Sequence, residues 1–160
     1  MKTHCIKCGT LHPQDSYPKK CESCGCEAYS NPLPVVIVVI PVEGGGILLE
    51  RRGIEPGIGL LALPGGYMET GESIEEAGAR EVREELGIEI TDLKLLGVES
   101  NLKKNMVLIF LESAPITKDE VPFGLVNPEV QGVIVGESKQ DLAFPAHQKY
   151  YDKRLGKSGL

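Results

Sequence analysis

Residues 66–88 read GYMETGESIEEAGAREVREELGI, and the organisation of the chain follows from them. Ser73 with Glu76 three residues on is a capping-box pattern: a serine hydroxyl accepts a backbone N–H while the glutamate reaches back to the serine's own N–H, which marks a helix start. Gly87 after Leu86 supplies the left-handed residue on which many helices end, so the spacing predicts a helix of about 14 residues. At 100° per residue Ile74, Gly78, Val82 and Leu86 make one stripe, and Glu81, Glu84 and Glu85 a second one beside it.

Carboxylates at i, i+3 and i+4 stand one turn apart and repel one another unless a cation sits between them. Donor sets of oxygen alone favour a hard ion, magnesium or manganese, over zinc or copper. A solvated acidic face is the ordinary alternative. Against it, Glu85 falls angularly between Ile74 and Gly78, inside the stripe that faces the core. Arg80 also stands four residues from both Glu76 and Glu84, where a guanidinium can brace carboxylates.

Outward from this helix the chain reads as strands. Residues 35–40 are apolar and mostly β-branched, the pattern of a strand covered on both faces, and Glu43-Gly44-Gly45-Gly46 offers a turn into residues 47–51, so a hairpin is expected. Residues 53–59 hold three glycines and a proline and read as a mobile loop. Residues 60–63 return to extended structure before Pro64-Gly65-Gly66. Residues 88–98, 106–111 and 132–135 read as further strands, and residues 145–155 as a closing helix with proline in its first turn. Strands surrounding one internal helix, with another at the end, give an α/β domain over residues 35–156, a mixed sheet sandwiched between helices.

All five cysteines lie in the first 26 residues, which marks residues 1–30 as a separate module, with Pro32 and Pro34 interrupting regular structure at the boundary. Cys5-x2-Cys8 and Cys21-x2-Cys24 are each followed by glycine, Gly9 and Gly25. Two thiolate pairs on tight turns suit a closed tetrahedral zinc site of structural kind, a zinc ribbon. Disulfides are the rival reading and are disfavoured in a cytoplasmic protein. Cys26 is left over as a bystander, and His4 and His12 are taken as surface residues.

The composition is that of an ordinary globular protein, 41% hydrophobic and 25% charged, with a net charge of −6. No apolar run approaches the roughly 20 residues of a bilayer span, and none follows the first residues as in a secretory signal, so a cytoplasmic protein without membrane contact is expected. The acidic balance disfavours a nucleic-acid partner. In residues 1–30 four lysines face three acids, and zinc with four thiolates brings the total to −1, so packing or homodimer formation suits the ribbon better.

Gly66, five residues, Glu72, seven residues and then Arg80-Glu81-Val82-Arg83-Glu84-Glu85-Leu86-Gly87-Ile88 resembles the complete Nudix box, without departure at a defining position. Chance coincidence of those positions is on the order of 10⁻⁹ per window at ordinary residue frequencies. The resemblance implies a Nudix α/β/α sandwich and hydrolysis of a nucleoside diphosphate linked to a moiety X, giving a nucleoside monophosphate and phospho-X. It implies Glu81, Glu84 and Glu85 as ligands of catalytic Mg2+ or Mn2+, Gly66 as a carbonyl donor and Arg80 as their orienting partner. Glu69 is a further candidate ligand. For the general base Glu84, Glu85 and a later loop acid, Glu129, are candidates, the ordinary reading of Glu129 being an exposed loop residue.

A zinc ribbon ahead of this box is similar to the NADH pyrophosphatase branch and its relatives that act on flavin dinucleotide or ADP-ribose, so a small nucleotide of that class is the expected substrate. Departures leave the substrate open. The Ser-Gln-Pro-Trp-Pro-Phe-Pro run of NADH pyrophosphatases is replaced by residues 99–105, ESNLKKN, the chain has no tryptophan, and no proline lies between Pro64 and Pro115. Tyr67 is a candidate for stacking on a base, and Arg51 and Arg52 for holding a phosphate. A nucleotide sensor that binds without turnover and a decapping-type enzyme acting on RNA 5′ ends are the alternatives.

Overall fold

The computed structural model describes residues 3–12 and 16–157. It divides into two compact units, Met1–Pro32 and Leu33–Leu160.

In the first unit, strands β1 (Lys19–Lys20) and β2 (Glu27–Ala28) pair antiparallel. The two cysteine pairs sit on matching turns, Gly9 N donating to Cys5 O and Gly25 N to Cys21 O, each at 2.8 Å. Contrary to the expectation from sequence, His12 is buried while His4 is exposed. A unit this small fills its interior with whatever side chains are at hand, and Lys19 is buried too, its ammonium donating to Thr3 Oγ1 at 2.8 Å.

The second unit contains strands β3 (Leu33–Val39), β4 (Ile47–Arg52), β5 (Leu61–Ala62), β6 (Lys94–Asn101), β7 (Met106–Glu112) and β8 (Val130–Gly136), with helices α1 (Ile74–Leu86) and α2 (Pro145–Lys157). One sheet, β3-β7-β6, is mixed, because β3 pairs parallel with β7 while β6 and β7 form an antiparallel hairpin. The other, β5-β4-β8, is antiparallel. β3 is covered on both faces, as its unbroken apolar sequence requires. Val38 and Ile40 pack with Val82 and Leu86 of α1, whereas Ile37 and Val39 pack with Tyr150 and Tyr151 of α2.

Two sequence expectations are corrected. β3 and β4 do not form a full hairpin: Leu48 N donates to Ile40 O at 2.9 Å at the turn, after which the strands diverge into different sheets. The partner of β3 comes instead from 73 residues along the chain, Leu33 pairing with Met106 and Val39 with Glu112, which no local pattern reveals. Residues 88–93 are not strand, the chain passing there through Asp92 in the left-handed region at φ 53°, and β6 begins at Lys94. α1 carries the full capping box, with Glu76 N donating to Ser73 Oγ, Ser73 N to Glu76, and Gly87 closing the helix at φ 70°.

Candidate functional site

The glycine loop lies along the free edge of β3. Val36 N donates to Gly66 O and Val38 N to Pro64 O, both at 2.9 Å, and Met68 N donates to Pro34 O at 3.1 Å. Gly65 passes so close that a Cβ would run into Val36 O, and a Cβ on Gly66 would run into the Glu81 carboxylate. Only glycine lets the backbone approach the acidic helix this closely. Gly65 N donates to Glu85 Oε2 at 2.8 Å, and the Gly66 carbonyl, which accepts from Val36 N, keeps a second lone pair.

Arg80 organises the face. Its Nε and Nη2 hold Glu72 at 2.6 and 3.0 Å, Nη1 holds Glu81 at 2.8 Å and Glu84 at 3.0 Å, and Nη2 also donates to Tyr67 O at 2.9 Å. This bidentate grip pulls the Glu72 carboxyl down to about 2. Glu76, expected as an Arg80 partner, is taken by the cap, so Glu72 of the loop replaces it.

The three box glutamates are not equivalent. Glu85 is 8% exposed, and burial first, then the nearby Glu50, pushes its carboxyl up to about 9. Burial also raises Glu81. Glu84 is at the rim, its side chain 58% exposed.

A fourth carboxylate that sequence reasoning missed lies beneath them. Glu50 on β4 has the parity of Leu48, which packs on the α1 side, and it pairs across the sheet with Val133 of that same core. It is 1% exposed, its Oε2 has no hydrogen-bond partner, and its Oε1 lies 3.9 Å from Arg52. Burial pushes it up to about 8, opposed by Arg52 and reinforced by Glu129 and Glu81. A buried acid with one oxygen unpaired and only a long contact to an arginine, next to other acids, is costly unless it is protonated or a cation is shared. The signal in the sequence was an acid following Ile47-Leu48-Leu49 in an otherwise apolar strand.

Glu129 joins from the loop before β8. Asn127 places it: its Oδ1 accepts the N–H groups of Glu129 and Val130 at 2.9 and 2.8 Å, while its Nδ2 donates to Glu85 O on α1 at 2.9 Å. One amide therefore ties this loop to the acidic helix.

These groups open on a cleft of about 980 Å³ whose lining includes Gly65, Gly66, Tyr67, Glu69, Arg80, Glu81, Glu85 and Glu129. Arg51 and Arg52 part company. Arg52 lines the cleft with its guanidinium over the Phe144 ring at 5.1 Å, whereas Arg51 is exposed outside it and donates to Gly59 O at 2.6 Å. Strand alternation and the bulge between the two residues separate them.

The NUDIX domain model matches residues 31–149. The chain belongs to the NUDIX family. Its relatives include the NAD-capped RNA hydrolase NudC of Haemophilus influenzae (strain PittGG), 37% identical over 130 residues that make up 75% of this chain and 49% of the relative. The ADP-ribose pyrophosphatase of Methanocaldococcus jannaschii is 40% identical over 73 residues, 46% of this chain and 43% of that one. The chain thus spans about half the length of the NudC relative it matches. Among solved structures, a NUDIX hydrolase from Nitrosomonas europaea superimposes with a TM-score of 0.80 at 23% identity, covering 97% of this chain and 91% of that chain, which shows the shared fold. The α/β Nudix architecture expected from the box is therefore present. The family generally uses a divalent metal, and a set of carboxylates with a buried Glu50 oxygen left unpaired is the donor chemistry a hard cation takes.

The ribbon's donors form a second, separate cluster. Cys5 and Cys24 Sγ are 3.6 Å apart, as are those of Cys8 and Cys21, and all four sulfurs lie within 4.8 Å of one another. A tetrahedron with Zn–S bonds of about 2.3 Å has edges of about 3.8 Å, so the set fits one zinc ion. Cys26 lies outside this cluster, its sulfur 3.8 Å from Glu27 O. Among the described residues no helix is long and apolar enough to cross a membrane.

Proposed function

We propose that the chain is a magnesium- or manganese-dependent pyrophosphohydrolase that splits a nucleoside diphosphate derivative of the ADP-ribose, FAD or NADH class into a nucleoside monophosphate and phospho-X. The observation that carries this reading is that Glu81, Glu85 and Glu129 line one open cleft, with Glu50, one of its oxygens unpaired, buried behind them. Glu81, Glu85 and the Gly66 carbonyl would hold the cation, with Glu84 and Glu69 reaching it from the rim and Glu50 from beneath. When bound, such an ion neutralises charge on the phosphate oxygens.

The chain's own groups do the rest. Arg80 keeps Glu81 and Glu84 oriented. Arg52 faces the second phosphate, and Tyr67, half exposed on the cleft wall, offers a surface for a base. Glu129 would take the proton; the support for it over the other candidates is that Glu85 accepts from Gly65 N and Glu84 from Arg80. The oxygen of a water attacks one phosphorus in line, the bond from that phosphorus to the bridging oxygen breaks, and the bridging oxygen leaves with the other phosphate. Glu129 receives the proton of the attacking water. In the ribbon, Cys5, Cys8, Cys21 and Cys24 hold a structural zinc, a closed shell that leaves no position for substrate.

Incubation with ADP-ribose, NADH and FAD in magnesium, with products separated by chromatography, tests the reading. AMP should appear and EDTA should abolish it. Binding of ADP-ribose without turnover in either magnesium or manganese would establish the sensor reading instead. A second substrate reading, an RNA 5′ end carrying a dinucleotide cap, is favoured by the name of the NudC relatives and by Lys103 and Lys104, which line the cleft at the turn between β6 and β7. Cleavage of capped RNA with free dinucleotides left intact would select it.

A further inference from the structure

Residues 99–105, ESNLKKN, stand where NADH pyrophosphatases carry their Ser-Gln-Pro-Trp-Pro-Phe-Pro run, so Glu99 is a feature of this chain and not of that run. The strand register gives its surroundings. Tyr67 bridges to Val35 on the free edge of β3, Val35 pairs with Leu108 of β7, and Leu108 pairs with Glu99 of β6. Residues paired directly across strands project from one face, and all four of these line the cleft. They make a row three strand spacings wide, about 14 Å. Its outer members are an aromatic ring next to Gly66 and a carboxylate at the far end. The two between are aliphatic and shorter, so a planar ring lying there meets an apolar floor and has an acceptor at its edge.

The far carboxylate is fixed in place and only half used. Glu99 Oε1 accepts from Lys149 Nζ and, at 3.4 Å, from Tyr150 OH, both on α2. Tyr150 is itself held by stacking on Phe110 of β7, the ring centroids 3.8 Å apart. Glu99 Oε2 has no hydrogen-bond partner among the described residues, and the side chain is 32% exposed. Lys149 beside it holds the carboxyl below the usual carboxylate range, so at neutral pH the free oxygen accepts hydrogen bonds and donates none. Such a group takes an N–H donor and rejects a carbonyl, whose lone pairs would face its own. Bases differ on this point: adenine carries an exocyclic amino group where hypoxanthine carries a carbonyl.

We propose that Glu99 is a specificity-determining residue that accepts a hydrogen bond from the exocyclic amino group of a base lying on Val35 and Leu108, so that the site selects amino-bearing bases over their oxo counterparts. This assignment rests on the pyrophosphohydrolase reading. Tyr67 closes the near end of the same shelf, and Lys149 keeps the Glu99 carboxylate in position.

The test compares kcat/KM of the full chain in magnesium for ADP-ribose and for its hypoxanthine counterpart, in which a carbonyl replaces the amino group. Wild type should favour ADP-ribose by about tenfold or more, the worth of a hydrogen bond to a charged group. Glu99→Gln keeps the shape and an acceptor for Lys149, and its amide adds a donor that a carbonyl can use. It should lower kcat/KM for ADP-ribose and raise it for the hypoxanthine substrate, each by about threefold and chiefly through KM, which brings the two near parity. The gain on the second substrate is one that an unfolded variant could not give. Equal cleavage of both substrates by wild type, or a Glu99→Gln variant that keeps the wild-type preference, would overturn the assignment. If neither substrate is cleaved, the pyrophosphohydrolase reading fails, and calorimetric titration of the same two proteins with AMP and with inosine monophosphate still decides on Glu99. A preference for AMP that Glu99→Gln removes would support the assignment there, and equal affinities in wild type would overturn it.

Discussion

The cysteine cluster and the acidic cluster are both sets of donors brought together by tight glycine turns, yet they are built on opposite plans. In the ribbon four like atoms close on one another within 4.8 Å and leave no outward position. In the Nudix unit the donors are graded, from Glu50 at 1% exposure through Glu85 to Glu84, whose side chain is 58% exposed, and Glu81, Glu85 and Glu129 of this set line a cleft. A closed, uniform shell can only hold structure together. A graded, open one leaves coordination positions for a reacting phosphate, and burial of its deepest acids makes the site costly to keep without a cation.

The contrast breaks most visibly at the ribbon. Cys8→Ser should release the zinc and unfold the first unit, since a structural zinc carries about 10 kcal/mol or more of folding free energy. Metal analysis and amide exchange read this out, and the Nudix unit should keep its activity toward ADP-ribose. A zinc-free wild type with an ordered ribbon would remove the closed half of the comparison.

Glu85→Gln comes next. It preserves shape and removes one charge, so turnover should fall by about 10³-fold or more, equivalent to about 4 kcal/mol of transition-state stabilisation. Magnesium should bind more weakly and the fold should survive. Exposed Glu75→Gln in the first turn of the same helix is the control and should change activity less than about twofold. Equal losses in the two variants would refute the acidic stripe as the metal site.

Glu50 sharpens the comparison through pH. Its carboxyl and that of Glu85 titrate near 8 and 9 in the fold, against an ordinary 4.5. The metal-free folded protein therefore binds more protons than the unfolded chain between those values, and its stability is full below about pH 4.5 and falls as pH rises toward 9. Glu50→Gln should flatten this fall and stabilise the protein kept without added magnesium or manganese by about 2–3 kcal/mol at pH 8, while lowering the affinity for manganese. Thermal melts across pH with and without manganese check both. A variant no more stable than wild type at pH 8 would show that Glu50 carries no unpaired burden.

The smallest expected effect belongs to Asn127. Asn127→Ala removes three hydrogen bonds, two that shape the Glu129 loop and one that joins it to α1, which should cost about 1–2 kcal/mol of stability and about tenfold in kcat, with KM little changed. If kcat is unaffected, Glu129 does not need to be held and its assignment as proton acceptor fails.

The sequence by itself determined the features that are local in the chain. The capping box and the left-handed Gly87 bound α1, the i, i+3, i+4 spacing put three acids on one surface, and each Cys-x2-Cys-Gly turn set two cysteines on one knuckle, because each depends on contacts a few residues apart. Tertiary structure alone decided the rest. The parallel pairing of β3 with β7 replaced a hairpin that the glycine turn suggested, since the turn sets only where the chain reverses and not which edge a strand finds. Glu50 became part of the site because β4 alternation turned it toward α1, and the bulge after Arg51 sent one arginine to the cleft and the other away. Likewise Asn127 and Glu99 acquire meaning only beside partners such as Glu85 and Lys149, 42 and 50 residues distant, where the hydrogen bonds that orient them are made.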